Sequence, residues 1–136
     1  MNCFGIIDGI NQLKDQDVDV LFSKTSKKDR MCVEMTGRVG LASSSESSQA
    51  GYSKYASLIK QKSGRRIVVS DKDPAGVKNA IKISKIIDGE VRWINYPRLP
   101  REAQRSLHRT HCKDDGEVAY YYDIDKLDKL YKQIGL

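Results

Sequence analysis

Asp71 and Asp73 stand two residues apart, directly after the β-branched run Ile67-Val68-Val69-Ser70 and just before Pro74 and Gly76. That order reads as strand, acidic turn, helix. Carboxylates at i and i+2 beyond a strand end can aim at one small volume, and in an open α/β sheet ligands collect at that end. Lys72 between them faces the other way, as alternate residues do in extended chain. Two converging carboxylates repel unless a hard cation such as Mg²⁺ lies between them, so the pair predicts a metal site. Capping is the competing account. Asp as N-cap with Pro at the first helical position explains Asp73 and Pro74 without any ion, although it leaves Asp71 unexplained.

Other uses of paired aspartates fit less well. An EF-hand loop counted from Asp71 needs an oxygen ligand at its fifth position and Glu at its twelfth, where Ala75 and Lys82 stand. A phosphotransferase of the haloacid dehalogenase type requires Thr or Val where this chain has Ala75.

Elements able to hold such a site follow from the pattern. The 136 residues suffice for one domain with a modest core, and 39% hydrophobic with 31% charged content suits a soluble globular chain. No apolar run approaches the ~20 residues of a membrane span, and no signal sequence opens the chain. The expected location is the cytoplasm of a bacterium or phage-infected host, with no membrane partner. Cys3, Cys32 and Cys112 form no Cys-x-x-Cys and read as reduced thiols. His108, His111 and Cys112 lack zinc-site spacing.

Residues 1–16 are a lead-in, a turn of helix or an edge strand. Val18–Ser23 reads as a strand and Lys27–Thr36 as a helix capped by Ser26, with Met31, Val33 or Glu34, and Met35 on its apolar side and Gly37 as its stop. Val39–Ala42 is a second strand. Ser43–Gln49 is a serine-rich loop, and Tyr52–Gln61 a helix. Arg65–Ser70 is the third strand. A helix from Pro74 to Ile87 buries Val77, Ala80, Ile81, Ser84 and Ile87, and Glu90–Ile94 is a strand around a core Trp93. Strands alternating with helices predict an α/β domain: a small, mostly parallel four-stranded sheet with helices on both faces. Residues 17–96 form that core and 97–136 a basic, then acidic, extension. A helical reading of Arg101–Arg109 puts Arg101, Arg105 and Arg109 on one face. Tyr120–Tyr122 reads as a last strand or edge and Ile124–Ile134 as a C-terminal helix, both packing elements.

The net charge of +6 favours a polyanionic partner. Its basic part is concentrated: Arg98, Arg101, Arg105 and Arg109 with two histidines face one acid, Glu102, before the sign reverses at Asp114. These arginines are candidates for nucleic-acid backbone contact, set against the alternative of a solvated basic face.

The strand ending in Asp71-Lys72-Asp73-Pro74-Ala75-Gly76 resembles the Asp-x-Asp-x-x-Gly motif of TOPRIM domains, the Rossmann-like metal-binding module shared by primases, topoisomerases and certain nucleases. Ser26-Lys27-Lys28-Asp29-Arg30-Met31, Gly37, Leu41-Ala42, Ser45-Glu46, Gly9–Leu13 and Lys113-Asp114 are similar to landmarks of the TOPRIM part of phage-type DNA primases, over roughly Gly9 to Asp114. The resemblance implies a nucleotidyltransferase module of DNA replication in which Asp71 and Asp73 hold Mg²⁺ or Mn²⁺. Asp29 and Glu46 would take outer or water-mediated catalytic roles, and Lys28 would steady a phosphate. DNA template and nucleotides are the implied partners, with a separate primase catalytic subunit, zinc-binding domain or helicase.

Two departures stand out. TOPRIM domains open with Glu-Gly-x-x-Asp, and in the register set by Asp29 the glutamate position is Thr25, which neither holds a metal as a carboxylate does nor shuttles protons. Glu46 is the conjectured replacement. A primase also needs template-gripping and zinc-binding parts that these residues do not supply, so the module is expected to be inactive alone. A metal-dependent TOPRIM nuclease and a catalytically silent nucleic-acid or protein-binding domain are the alternatives.

Overall fold

The computed structural model describes residues 7–24, 26–42 and 48–135. Four strands, β1 (Val18–Lys24), β2 (Val39–Ala42), β3 (Ser63–Val69) and β4 (Glu90–Arg92), form one all-parallel sheet in the order β2-β1-β3-β4. Helices α1 (Ile10–Asp15), α2 (Lys27–Met35), α3 (Ser48–Lys62) and α4 (Pro74–Ile87) belong to the alternating part of the chain, and α5 (Arg101–Leu107), α6 (Asp115–Tyr121) and α7 (Ile124–Gly135) follow it. No helix among the described residues is long and apolar enough to cross a membrane.

The strand order dictates the layers. From β1 the chain steps outward to β2, then crosses back over β1 to β3 and continues to β4. Crossovers of one hand that run in opposite directions must lie on opposite faces. Accordingly, α2 supplies Cys32 and Val33 to a core with Phe22, Ile67 and Val69, whereas α3 and α4 supply Tyr52, Ile59, Ala80, Ile83 and Ile87 to a core with Leu21, Leu41 and Val68. Neighbouring strand residues thus serve opposite layers, as the two-residue period of a pleated strand requires. The C-terminal helices complete the α2 layer, with Val118, Leu127, Leu130 and Tyr131 against the sheet and the Phe22 and Tyr131 rings 5.5 Å apart.

Local chemistry sets the element ends. Ser26 caps α2 by accepting from Asp29 N at 3.1 Å, and Gly37, at φ 83°, closes it in the left-handed conformation that glycine adopts without a steric penalty. Asp73 caps α4 by accepting from Gly76 N at 2.6 Å, with Pro74 opening the first turn. The segment before α1 bridges Asp8 to Ala42 in antiparallel fashion and covers the outer edge of β2.

Several expectations are corrected. Tyr120 and Tyr121 are helical and Tyr122 is the cap residue of α6, because Asp114 accepts from Glu117 N at 2.8 Å and nucleates a turn that outweighs the β preference of tyrosine. Trp93 is 52% exposed, since β4 stops at Arg92 and the core position falls to Ile94. Met31 and Met35 are exposed, and the buried face of α2 is Asp29, Cys32 and Val33. In α4, Ile83 is buried and Ile81 exposed.

Candidate functional site

The switch point between β1 and β3, where the crossovers part to opposite faces, leaves a crevice beyond the carboxyl ends of those strands. There the structure has a cavity of about 540 Å³, lined by Lys24 at the end of β1, Asp29 on α2, and Ser70, Asp71, Lys72 and Asp73 following β3. Tyr96, His111 and Lys113 close its far side. Three of the sequence-selected carboxylates, Asp29, Asp71 and Asp73, therefore share one cavity.

Their environments differ. Burial and the neighbouring Asp73 charge hold the Asp71 carboxyl above its ordinary range, with Lys24 partly opposing them. Asp73 spends Oδ1 on the α4 cap. Lys72 lines the same cavity as the two aspartates rather than facing away from it, its ammonium donating to Asn95 Oδ1 at 3.1 Å. Gly76 is required by close approach: a Cβ there would stand 2.8 Å from the Asp71 Cβ and 3.2 Å from Asp73 Oδ1. Any side chain at that position pushes the two carboxylates out of place.

Asp29 is 7% exposed, and its Oδ1 has no hydrogen-bond partner among the described residues. Burial first, then the charges of Asp115, Asp114 and Asp71, raise its pKa to about 6, with Lys24 pulling the other way. A buried carboxylate oxygen left without a donor is costly and is the kind of atom a cation satisfies.

Sequence reasoning missed the group behind this wall. Lys24 Nζ lies 2.9 Å from Asp115 Oδ2, both side chains essentially inaccessible to water. Tyr96 and Tyr131 each donate their hydroxyl to Asp115 at 2.5 Å, and burial together with the Asp115 charge pushes both phenols well above their usual range. Asp115 is thus fully satisfied, and Lys24 is anchored from below while it faces the cavity. The available signal was a lysine ending an otherwise buried strand, which demands a distant acid.

The remaining sequence candidates are placed elsewhere. Lys28 packs over Gly116 of α6 and does not line the cavity. Glu46 and Thr25 lie outside the described residues. Arg101, Arg105 and Arg109 do meet, around a second, shallower hollow of about 380 Å³, although α5 ends before Arg109. Arg109 is bonded through both guanidinium nitrogens to Glu117, one of them at 2.6 Å to Oε1, and the arginine holds the Glu117 carboxyl down to about 2. Arg98 is exposed and pairs with His111 through the backbone, in an isolated antiparallel bridge.

The donor set suits magnesium. Among the described residues no three His, Cys, Asp or Glu side chains are grouped to hold an ion unaided. Mg²⁺ commonly takes one or two carboxylates and completes its shell with water and substrate phosphates. Asp71 and Asp73 would be that pair, and Asp29, whose Oδ1 has no partner among the described residues, lines the same cavity.

Comparison with solved structures finds a crystal structure of a DNA primase domain from Pseudomonas aeruginosa, with a TM-score of 0.59 and 17% sequence identity, covering 99% of this chain and 40% of that one. The fold is primase-like. At this identity the likeness is one of architecture, and the chain spans less than half of its structural neighbour. No protein-family model matches the sequence, and no curated protein does.

Proposed function

We propose that this chain is the TOPRIM module of a phage-type DNA primase, binding Mg²⁺ and nucleotide or nucleic-acid phosphates for RNA primer synthesis and depending on further protein parts for full activity. The observation that carries the reading is that Asp71, Asp73 and Asp29, the last with an unsatisfied oxygen, line one cavity at the switch point of a primase-like fold.

In this reading Asp71 and Asp73 hold the ion, which when bound offsets phosphate charge and orients the reacting oxygens. Asp29 accepts from the ion's water shell. Lys113, which lines the cavity, presents positive charge to an incoming phosphate, while Lys24 stays paired with Asp115. Gly76 keeps the two aspartates close. Glu46 remains the candidate for the carboxylate that Thr25 does not provide, and DNA template, nucleotides and a separate catalytic subunit, zinc-binding domain or helicase are the partners that this reading entails.

The test is calorimetric titration of the chain with Mg²⁺ and Mn²⁺, beside Asp71→Asn and Asp73→Asn. The reading expects saturable binding that each substitution abolishes, and stimulation of primer synthesis when a primase catalytic subunit is added. Equal heats from wild type and the double variant would overturn it. Metal-dependent cleavage of a labelled strand would point instead to the nuclease.

A further inference from the structure

The arginines divide by whether the protein already uses their charge. Arg38 pairs with Asp128 at 2.6 Å, Arg65 and Arg92 with Glu90 at 2.8 and 3.2 Å, Arg66 with Asp88 at 3.8 Å, and Arg30 and Arg109 pair with Glu34 and Glu117. Arg98, Arg101 and Arg105 make no ion pair among the described residues, and all three are exposed. Glu102, the acid on the same helix, pairs with none of them. The unspent guanidinium groups therefore belong to α5 and the loop before it, with Arg101 and Arg105 bordering one hollow.

That surface is packed onto the core and adjoins the carboxylate cavity. Ala103 and Leu99 are buried beneath it, and Gln104 Nε2 donates to Leu99 O at 2.8 Å. Thr110 borders the arginine hollow and the next residues, His111 to Lys113, line the cavity, so one short segment forms the wall between the two. The bridge from Arg98 to His111 ties the first arginine to that wall. Tyr122, 41% exposed, donates its hydroxyl to Arg98 O and places an aromatic ring beside the basic surface.

We propose that Arg98, Arg101 and Arg105 grip the backbone phosphates of single-stranded DNA that runs over the His111–Lys113 wall toward the carboxylate cavity. Guanidinium groups with no internal partner bind phosphate without first breaking an ion pair, and they read no sequence. A basic track flanked by an exposed aromatic ring is the composition of single-strand binding surfaces. Arg109, grouped with these arginines by sequence spacing, is excluded because Glu117 already neutralises it. The direction of the strand rests on the phosphate reading of the cavity. The grip itself does not.

The experiment is fluorescence anisotropy with a labelled 15-nucleotide oligo-dT across a salt series in EDTA, which removes divalent metal from the measurement. Wild type is expected to bind at low salt, and Arg101→Gln/Arg105→Gln to bind at least about tenfold more weakly, with a log–log salt slope shallower by about 1.4, the value for two lost phosphate contacts on a single strand. Arg65→Gln, which removes one charge at the end of β3 away from Asp71, is expected to stay within about twofold. A duplex of equal length should bind more weakly than the single strand. Circular dichroism verifies that the variants are folded. An unchanged slope in the double variant, an equal loss in Arg65→Gln, or preference for the duplex would overturn the proposal. Because metal is absent, such a result leaves the titration of the carboxylates standing, and a failed titration leaves this result standing.

Discussion

Asp115 and Asp29 are buried carboxylates on either side of Lys24, and they have opposite fates. Asp115 takes one ammonium and two phenols, and its negative charge is fully accounted for. Asp29 keeps an oxygen with no donor among the described residues, and burial pushes its pKa up to about 6. Burial alone does not mark a residue as structural or functional. What separates the two is whether the fold completes the hydrogen-bonding set or leaves it to something that arrives later.

That contrast breaks most visibly at Asp115. Asp115→Ala leaves Lys24 charged, buried and alone, and is expected to cost about 3–5 kcal/mol of unfolding free energy in a denaturant titration. Lys24→Met with Asp115→Asn, which removes both charges, should cost less than either single loss. If the double change costs the sum of the two, the pair is not coupled and the account of Asp115 fails.

Asp29 should respond to pH rather than to truncation. Its folded pKa of about 6 lies above the ordinary value of 3.8, so the folded state binds more protons in that interval. The stabilising contribution is full below about pH 4 and is lost as pH rises through 6. Asp29→Asn should flatten that decline and stabilise the chain at pH 8 by about 1–3 kcal/mol, as followed by thermal melts over pH. A decline that persists in the variant would assign it to another group.

Gly76→Ala is the next smaller effect: about 1–2 kcal/mol of overpacking strain as the new methyl displaces Asp71, accompanied by weaker Mn²⁺ binding in a titration. Smallest in stability is Asp71→Asn, expected within about 0.5 kcal/mol of wild type, or slightly stabilising because a repulsion with Asp73 is relieved, while metal binding disappears. Large destabilisation there would place Asp71 among the structural carboxylates.

Much of the scaffold was legible because its signals are local. Ser26 before α2, Asp73-Pro74 before α4 and the β-branched run from Ile67 each settle a few residues by chemistry contained within those residues. The Asp71, Asp73 and Asp29 cluster could be anticipated from motif order. Lys24 and Asp115 could not, because they come from distant parts of the chain and their pairing exists only once α6 packs against α2. Tyr120–Tyr122 misled for a related reason: three tyrosines favour a strand, but the preceding Asp114 fixes a helical turn and overrides them. The arginine spacing put Arg101, Arg105 and Arg109 on one helix face; the three border one hollow, but Arg109 lies beyond the end of α5 and pairs with Glu117.

Asp73 lines the cavity and has one oxygen committed to the amide of Gly76. The first turn of α4 is therefore wired to whatever occupies the crevice: a ligand that draws the carboxylate toward itself loosens the turn, and one that leaves it alone keeps the turn shut. Amide exchange at Gly76 would follow occupancy directly, giving the helix start the character of a gauge as well as an anchor.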